Sequence, residues 1–198
     1  LFYTMAYLTI YSAWQCANDN IAPYRYMKRQ LKLISWYRRD DTRKPWVLKT
    51  PQHMQDLSAL MRVFPDARLV CTHRDPLKAT GSICSTAWNA LVRDRNDLDP
   101  FLVGKEWHGL YDQWVKHTLD VRDTVVAPEQ QIDILYEGIN KDWQHEVKRV
   151  YDFLGMDFND NARSAMTNWM NTHSTYKAGG HKYSLADFGL IESEVETT

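Results

Sequence analysis

Residues 67–74, ARLVCTHR, form an apolar run that ends at Asp75-Pro76, and this junction limits the folds open to the chain more than any other stretch. The run reads as a strand whose apolar centre suits burial in a parallel sheet. Asp75 can cap a helix and Pro76 fits its first position, so the strand passes directly into a helix predicted to reach about Leu91. WVLKT, 46–50, reads as an earlier strand, with Pro51 opening the helical stretch that carries Leu57, Leu60, Met61 and Phe64. QIDILY, 131–136, reads as a third strand, followed by a helix over 142–155 that Gly155 closes. Further helices are predicted over 1–18, 23–39, 104–126 and 160–172, and the tail around AGGHKYSLADFGL reads as a loop with a short turn. Strands alternating with helices predict an α/β fold with a mainly parallel sheet.

The 198 residues suffice for one domain with a real core, and 44% hydrophobic with 25% charged residues suit a globular chain. A formal net charge of −1 argues against nucleic acid as a partner. The apolar opening, LFYTMAYLTIYSAW, is broken by Thr and Ser and falls short of the ~20 residues a membrane span needs, so no span is expected. Three cysteines without a C-x-x-C pair suit a reducing compartment, and a cytoplasmic location is expected. No H-x-x-x-H spacing occurs among the seven histidines, so no metal is expected.

His73-Arg74-Asp75 spells the start of a kinase catalytic loop, but its parts are missing or out of order. Thr80 stands where that loop needs Asn, and Ala127-Pro128-Glu129 precedes Asp187-Phe188-Gly189 instead of following it. No glycine occurs before Gly81, which excludes a glycine-rich loop upstream, and no G-x-x-x-x-G-K-[ST] occurs anywhere. A phosphate site in this chain must therefore use side chains and helix ends.

The strand ends supply such side chains. Lys49 closes the first predicted strand with His53 one turn later, Arg74 closes the second, and Tyr136 closes the third. Ligands of open α/β sheets bind beyond the carboxyl ends of the strands, where these groups could converge. Ser82 shares a helix face with Asp75, so its hydroxyl can look back toward Arg74. A guanidinium with a nearby hydroxyl makes a sound anion clamp.

Taken together, W-V-L-K-T-P-Q-H (46–53), F-P-D-A-R-L-V-C-T-H-R-D-P (64–76) with Ser82, I-L-Y-E-G-I (134–139), V-Y-D-F-L-G (150–155) and G-G-H-K-Y-S-L-A-D-F-G-L (179–190) resemble the bacterial-type branch of the PAPS-dependent sulfotransferases. That resemblance implies a P-loop-NTPase-like parallel sheet flanked by helices. It implies that Arg74 and Ser82 hold the 3′-phosphate of the nucleotide donor PAPS (3′-phosphoadenosine 5′-phosphosulfate), with Tyr136 nearby. It places Lys177, Gly179, Gly180 and His181 in a loop that closes over the nucleotide, and His53 as catalytic base with Lys49 as the cation on the transferring group. His53 stands four residues after Lys49, whereas cytosolic members have their histidine two after. The product would be PAP (adenosine 3′,5′-bisphosphate), the acceptor a small molecule with a hydroxyl or amine, and no metal takes part.

Family members bind the phosphosulfate with a loop at the first strand, and no such loop occurs in these residues. The expectation is a single domain, 1–198, that is the C-terminal part of a sulfotransferase domain, lacking the first strand and phosphosulfate loop. Two functions stay open: a sulfotransferase, or a non-catalytic truncated α/β remnant that binds a nucleotide weakly or not at all.

Overall fold

The computed structural model describes residues 14, 17–39, 44–93, 97–173 and 183–196. The helix expected over 1–18 lies almost wholly outside them. Helix α1 spans Ile21–Arg38 and turns Ile21 and Tyr24 inward. A 3-10 turn, Pro51–His53, leads to helix α2, Leu57–Val63. Strand β1, Leu69–His73, then gives way to helix α3, Pro76–Leu91, as the sequence predicts. The Asp75 carboxylate accepts from the amides of Leu77 (2.9 Å) and Lys78 (3.3 Å), which satisfies two orphan donors of the first turn.

Helix α4, Pro100–Thr124, starts in the same way, with Asp99 accepting from Phe101 N at 2.9 Å. Strand β2, Gln131–Leu135, runs parallel to β1 with Cys71 opposite Asp133 and His73 opposite Leu135. Helix α5, Tyr136–Leu154, follows directly. Asp142 breaks its geometry (φ −152°, ψ 83°) and caps His145 N at 3.1 Å, so the predicted start at 142 matches the second segment. Gly155 ends it with φ +68°, the left-handed turn that glycine adopts without a Cβ clash. Helix α6 covers Asp160–Thr172, and a 3-10 turn, Ala186–Phe188, precedes helix α7, Glu192–Glu196.

One expectation fails. Residues 46–50 are extended but form no ladder with the described residues. Trp46, Val47 and Leu48 stay exposed, Val47 at 87%. The composition suits a strand, but a strand also needs a neighbour for its N–H and C=O groups, and among the described residues β1 is bonded to β2 alone. Among the described residues, no helix is long and apolar enough to cross a membrane.

Two clusters make the core. In one, Ile21 and Tyr24 of α1 meet Leu57, Leu60 and Met61 of α2 and Val121 of α4. In the other, Cys84, Ala87 and Leu91 of α3 meet Val103, Trp107 and Trp114 of α4 with Phe188 and Leu190 of the C-terminal turn. Trp107 and Trp114 pack edge to face with centroids 6.2 Å apart, worth about 1 kcal/mol beyond their buried area.

Gly104 lets α4 touch the C-terminal turn. A Cβ there would stand 2.1 Å from the Phe188 carbonyl oxygen and 2.7 Å from Phe188 Cβ. Alanine is the better helix former by about 1 kcal/mol, but this backbone collision outweighs that gain. Gly104→Ala should therefore lower stability by roughly 1–3 kcal/mol, read as a lower urea midpoint at unchanged slope. A midpoint that rises would show that α4 and the turn do not meet.

Candidate active site

The parallel register sets the carboxyl ends of β1 and β2 side by side, so Arg74 and Tyr136 leave the sheet as neighbours. The Arg74 guanidinium carbon lies 5.1 Å from the centroid of the Tyr136 ring. Both side chains are exposed. Cation–π contact of this kind holds a guanidinium in place while leaving its N–H donors free. Asp75, the nearest acid in sequence, is engaged with the first turn of α3 and with Lys78 Nζ at 3.7 Å. Among the described residues, Arg74 has no carboxylate partner.

Ser82 sits half-buried on α3, and its hydroxyl makes no hydrogen bond among the described residues. Next to it, a Cβ on Gly81 would meet the Tyr183 ring at 3.0 Å, so the C-terminal segment returns to α3 here. Lys177, Gly179, Gly180 and His181, expected in the nucleotide loop, lie outside the described residues.

Lys49 and His53 belong to one local turn. Thr50 Oγ1 accepts from Gln52 N at 3.4 Å, His53 N donates to Thr50 O at 3.3 Å, and Pro51 takes the first position. Thr118 Oγ1 of α4 lies 3.0 Å from Met54 O of this turn and 2.7 Å from Trp114 O of its own helix, two acceptors for its one proton. Lys49 is exposed and makes no ion pair among the described residues. His53 is half-buried, with Nδ1 2.7 Å from Tyr24 Oη. Burial pushes its imidazole pKa below the ordinary value, so the ring is neutral at pH 7.

Behind His53 lies a polar group that the sequence does not reveal. Tyr24 is buried; burial, with the charge of Asp56 second, pushes its phenol well above the usual range. Asp56 stands at the N-cap of α2 without capping it, and takes the Asn20 amide instead, Nδ2 donating at 2.7 Å. Burial raises the Asp56 carboxyl, while the Asn20 bond and the nearby His117 oppose that rise. The carboxylate borders a cavity of about 160 Å³ that Ser58, Arg62 and His117 also line. In sequence, Tyr24 carries only the signal of an inward helix position, and nothing in spacing ties it to His53. The cluster of His73, Asp133 and Arg122 is likewise hidden. Arg122 donates from Nε to Gln131 Oε1 (2.6 Å) and from Nη2 to Asp133 (2.9 Å), and His73 Nε2 bonds the same carboxylate. This cluster pins α4 to the strand pair and engages the Asp133 carboxylate in the middle of β2.

Arg74 thus meets Tyr136 at the paired strand ends, while Lys49 leads into the turn that sets His53 against Tyr24. A sequence profile described as "Sulfotransferase family" matches residues 4–160. The chain belongs to the sulfotransferase family. Omega-hydroxy-beta-dihydromenaquinone-9 sulfotransferase Stf3 is 24% identical over 156 residues, in both Mycobacterium bovis and Mycobacterium tuberculosis. That match covers 76% of this chain and 39% of each relative. Among solved structures, sulfotransferase STF9 from Mycobacterium avium superposes with a TM-score of 0.86 at 26% identity, covering 98% of this chain and 49% of that one. Sulfotransferase STF1 from Mycobacterium tuberculosis gives 0.82 at 28% identity, covering 99% and 49%. The chain thus spans about two fifths of the curated sulfotransferases and half of the solved ones. Its α/β architecture is that of this bacterial-type family.

The His53 shift has a stability consequence. The unfolded chain takes up a proton at this residue below about pH 6.5, whereas the native chain resists until lower pH. The His53 contribution to stability is therefore complete above that pH and declines as pH falls toward the native pKa. Titration of the His53 ring protons by NMR should give a midpoint below ~6.5, and a midpoint above it would contradict the burial.

Proposed function

We propose that this sulfotransferase sequence carries the nucleotide clamp and base for sulfuryl transfer from PAPS to a hydroxyl acceptor. The observation that supports it best is Arg74, stacked on Tyr136 at the carboxyl edge of the parallel pair and unclaimed by a carboxylate among the described residues. Such a guanidinium suits a ribose 3′-phosphate, with Ser82 as a neutral donor one helix face away. The Lys177–His181 loop is the proposed cover over the nucleotide.

In this reading, the acceptor hydroxyl gives its proton to His53 as its oxygen bonds to sulfur. The bond between sulfur and the nucleotide's phosphate oxygen breaks, and adenosine 3′,5′-bisphosphate leaves. Lys49 faces the negative charge that develops on the transferring group, in the manner of cationic clamps in phosphoryl transfer. The neutral state of His53 at pH 7 is what a base requires. The acceptor we propose is apolar with a terminal hydroxyl. The similar Stf3 is named for an omega-hydroxy menaquinone, and here exposed Trp46, Val47 and Leu48 run directly into Lys49.

Calorimetry with adenosine 3′,5′-bisphosphate tests the clamp. Arg74→Ala should weaken binding by about 2–3 kcal/mol, the worth of charge-assisted hydrogen bonds. Equal affinity for both chains would reject the assignment. In a transfer assay with labelled donor, His53→Ala should lower turnover by ~10²-fold or more, and unchanged turnover would remove His53 from the mechanism.

A further inference from the structure

Helix α1 has two apolar faces, and the core uses one of them. Ile21, Tyr24, Met27 and Leu31 recur at helical spacing on the buried or half-buried side. Lys28 joins them there, donating from Nζ to Val63 O at 2.7 Å. On the opposite side Tyr26, Leu33 and Tyr37 line up at i, i+7 and i+11. They are 57%, 62% and 82% exposed, so nothing in the described structure covers this face.

A row of cations flanks that face. Arg25, Arg29 and Lys32 stand at i, i+4 and i+7, all exposed, and Trp36 ends the row at i+11 with 76% exposure. None of the three cations makes an ion pair among the described residues. The Arg29 guanidinium carbon lies 5.8 Å from the centroid of the Tyr26 ring, which joins the two rows. Arg25, Lys28, Arg29, Lys32 and Arg38 are the charged residues of α1, and none is acidic, although the chain as a whole has a net charge of −1. The next acids in sequence, Asp40 and Asp41, lie outside the described residues.

This chemistry selects among occupants. A second copy in a two-fold contact would set the same cations against each other. Nucleic acid would use the cations and the rings, but not the aliphatic Leu33 and Ile34 that are exposed with them. An anionic bilayer uses all three: cations at the headgroups, Trp and Tyr rings at the interface, aliphatic side chains at the acyl boundary.

We infer that α1 is an interfacial helix that lays its Tyr26–Tyr37 face on an anionic membrane. Trp46 Nε1 donates to Ser35 Oγ at 3.1 Å, which ties the segment leading into Lys49 to this helix. Docking of α1 therefore carries the Lys49–His53 turn to the bilayer, the phase that holds an apolar acceptor. That consequence rests on the proposed function; the membrane contact itself does not.

Co-sedimentation of the chain with lipid vesicles tests the contact. Vesicles of equal parts phosphatidylcholine and phosphatidylglycerol should bind it ~10-fold or more tightly than phosphatidylcholine alone, and less so as salt rises. Arg29→Gln with Lys32→Gln should weaken that binding roughly tenfold at low salt. Leu33→Ser with Tyr37→Ser should weaken it about as much and keep the loss at high salt, because the lost part is apolar. All four side chains are exposed, so these variants should fold. Lys141→Gln with Lys148→Gln removes the same charge from α5 and should bind like the unmodified chain. No preference for the anionic vesicles overturns the inference, and so does an equal loss in the α5 variant. A chain that ignores vesicles but dimerises through Leu33 and Tyr37, or holds single-stranded nucleic acid through Arg29 and Lys32, overturns it in favour of that occupant. If vesicles bind as stated while His53→Ala leaves turnover intact, the membrane contact stands and the base assignment alone falls.

Discussion

The parallel pairing of β1 with β2 is the constraint from which the rest of the site follows. Its register places His73 beside Leu135, so the two residues that leave the sheet next, Arg74 and Tyr136, start from adjacent points. Each strand passes into its helix almost without a loop, and each helix therefore begins at the same edge. Two helix N-termini and a guanidinium at one edge give a field that favours an anion. No glycine-rich loop is required for this field, and the chain has no glycine before Gly81.

Asp75 and Asp133 near this edge are engaged locally, whereas Glu137 in the first turn of α5 stays exposed. Asp75 accepts from the first turn of α3. Asp133 takes Arg122 and His73, and the Arg122 hydrogen bond, followed by that of His73, holds its carboxyl below the usual range. Elsewhere in the chain, Asp56 takes the Asn20 amide. Had the Asp75 or Asp133 carboxylate reached Arg74, the guanidinium would sit in a closed ion pair.

Local chemistry was legible in the sequence wherever it acts over a few residues. The Asp75 cap and Pro76 located α3 from start to finish, and Gly155 located the end of α5. The edge carrying Arg74 and Tyr136 followed from counting strands, and the family motifs named the chemistry. What stayed hidden depends on distant partners. WVLKT has the composition of a strand but no described neighbour to bond it. The first turn of α5 was missed because Tyr136 and Gly138 are weak helix formers that the fold carries along regardless. Tyr24 meets His53 only after α1 and α2 have packed, and no spacing rule encodes that meeting.

Helix α4 deserves a mechanical reading. Near its start Gly104 lies against the C-terminal turn, in its last third Thr118 approaches the turn that carries His53, and near its end Arg122 grips β2. A helix rises about 1.5 Å per residue and resists stretching. The C-terminal turn, the turn that carries His53 and strand β2 are thus gauged along a single stiff rod, and their separations are inherited from it. Any swing of that rod would shift all three segments in concert, so they keep their alignment even as the whole breathes.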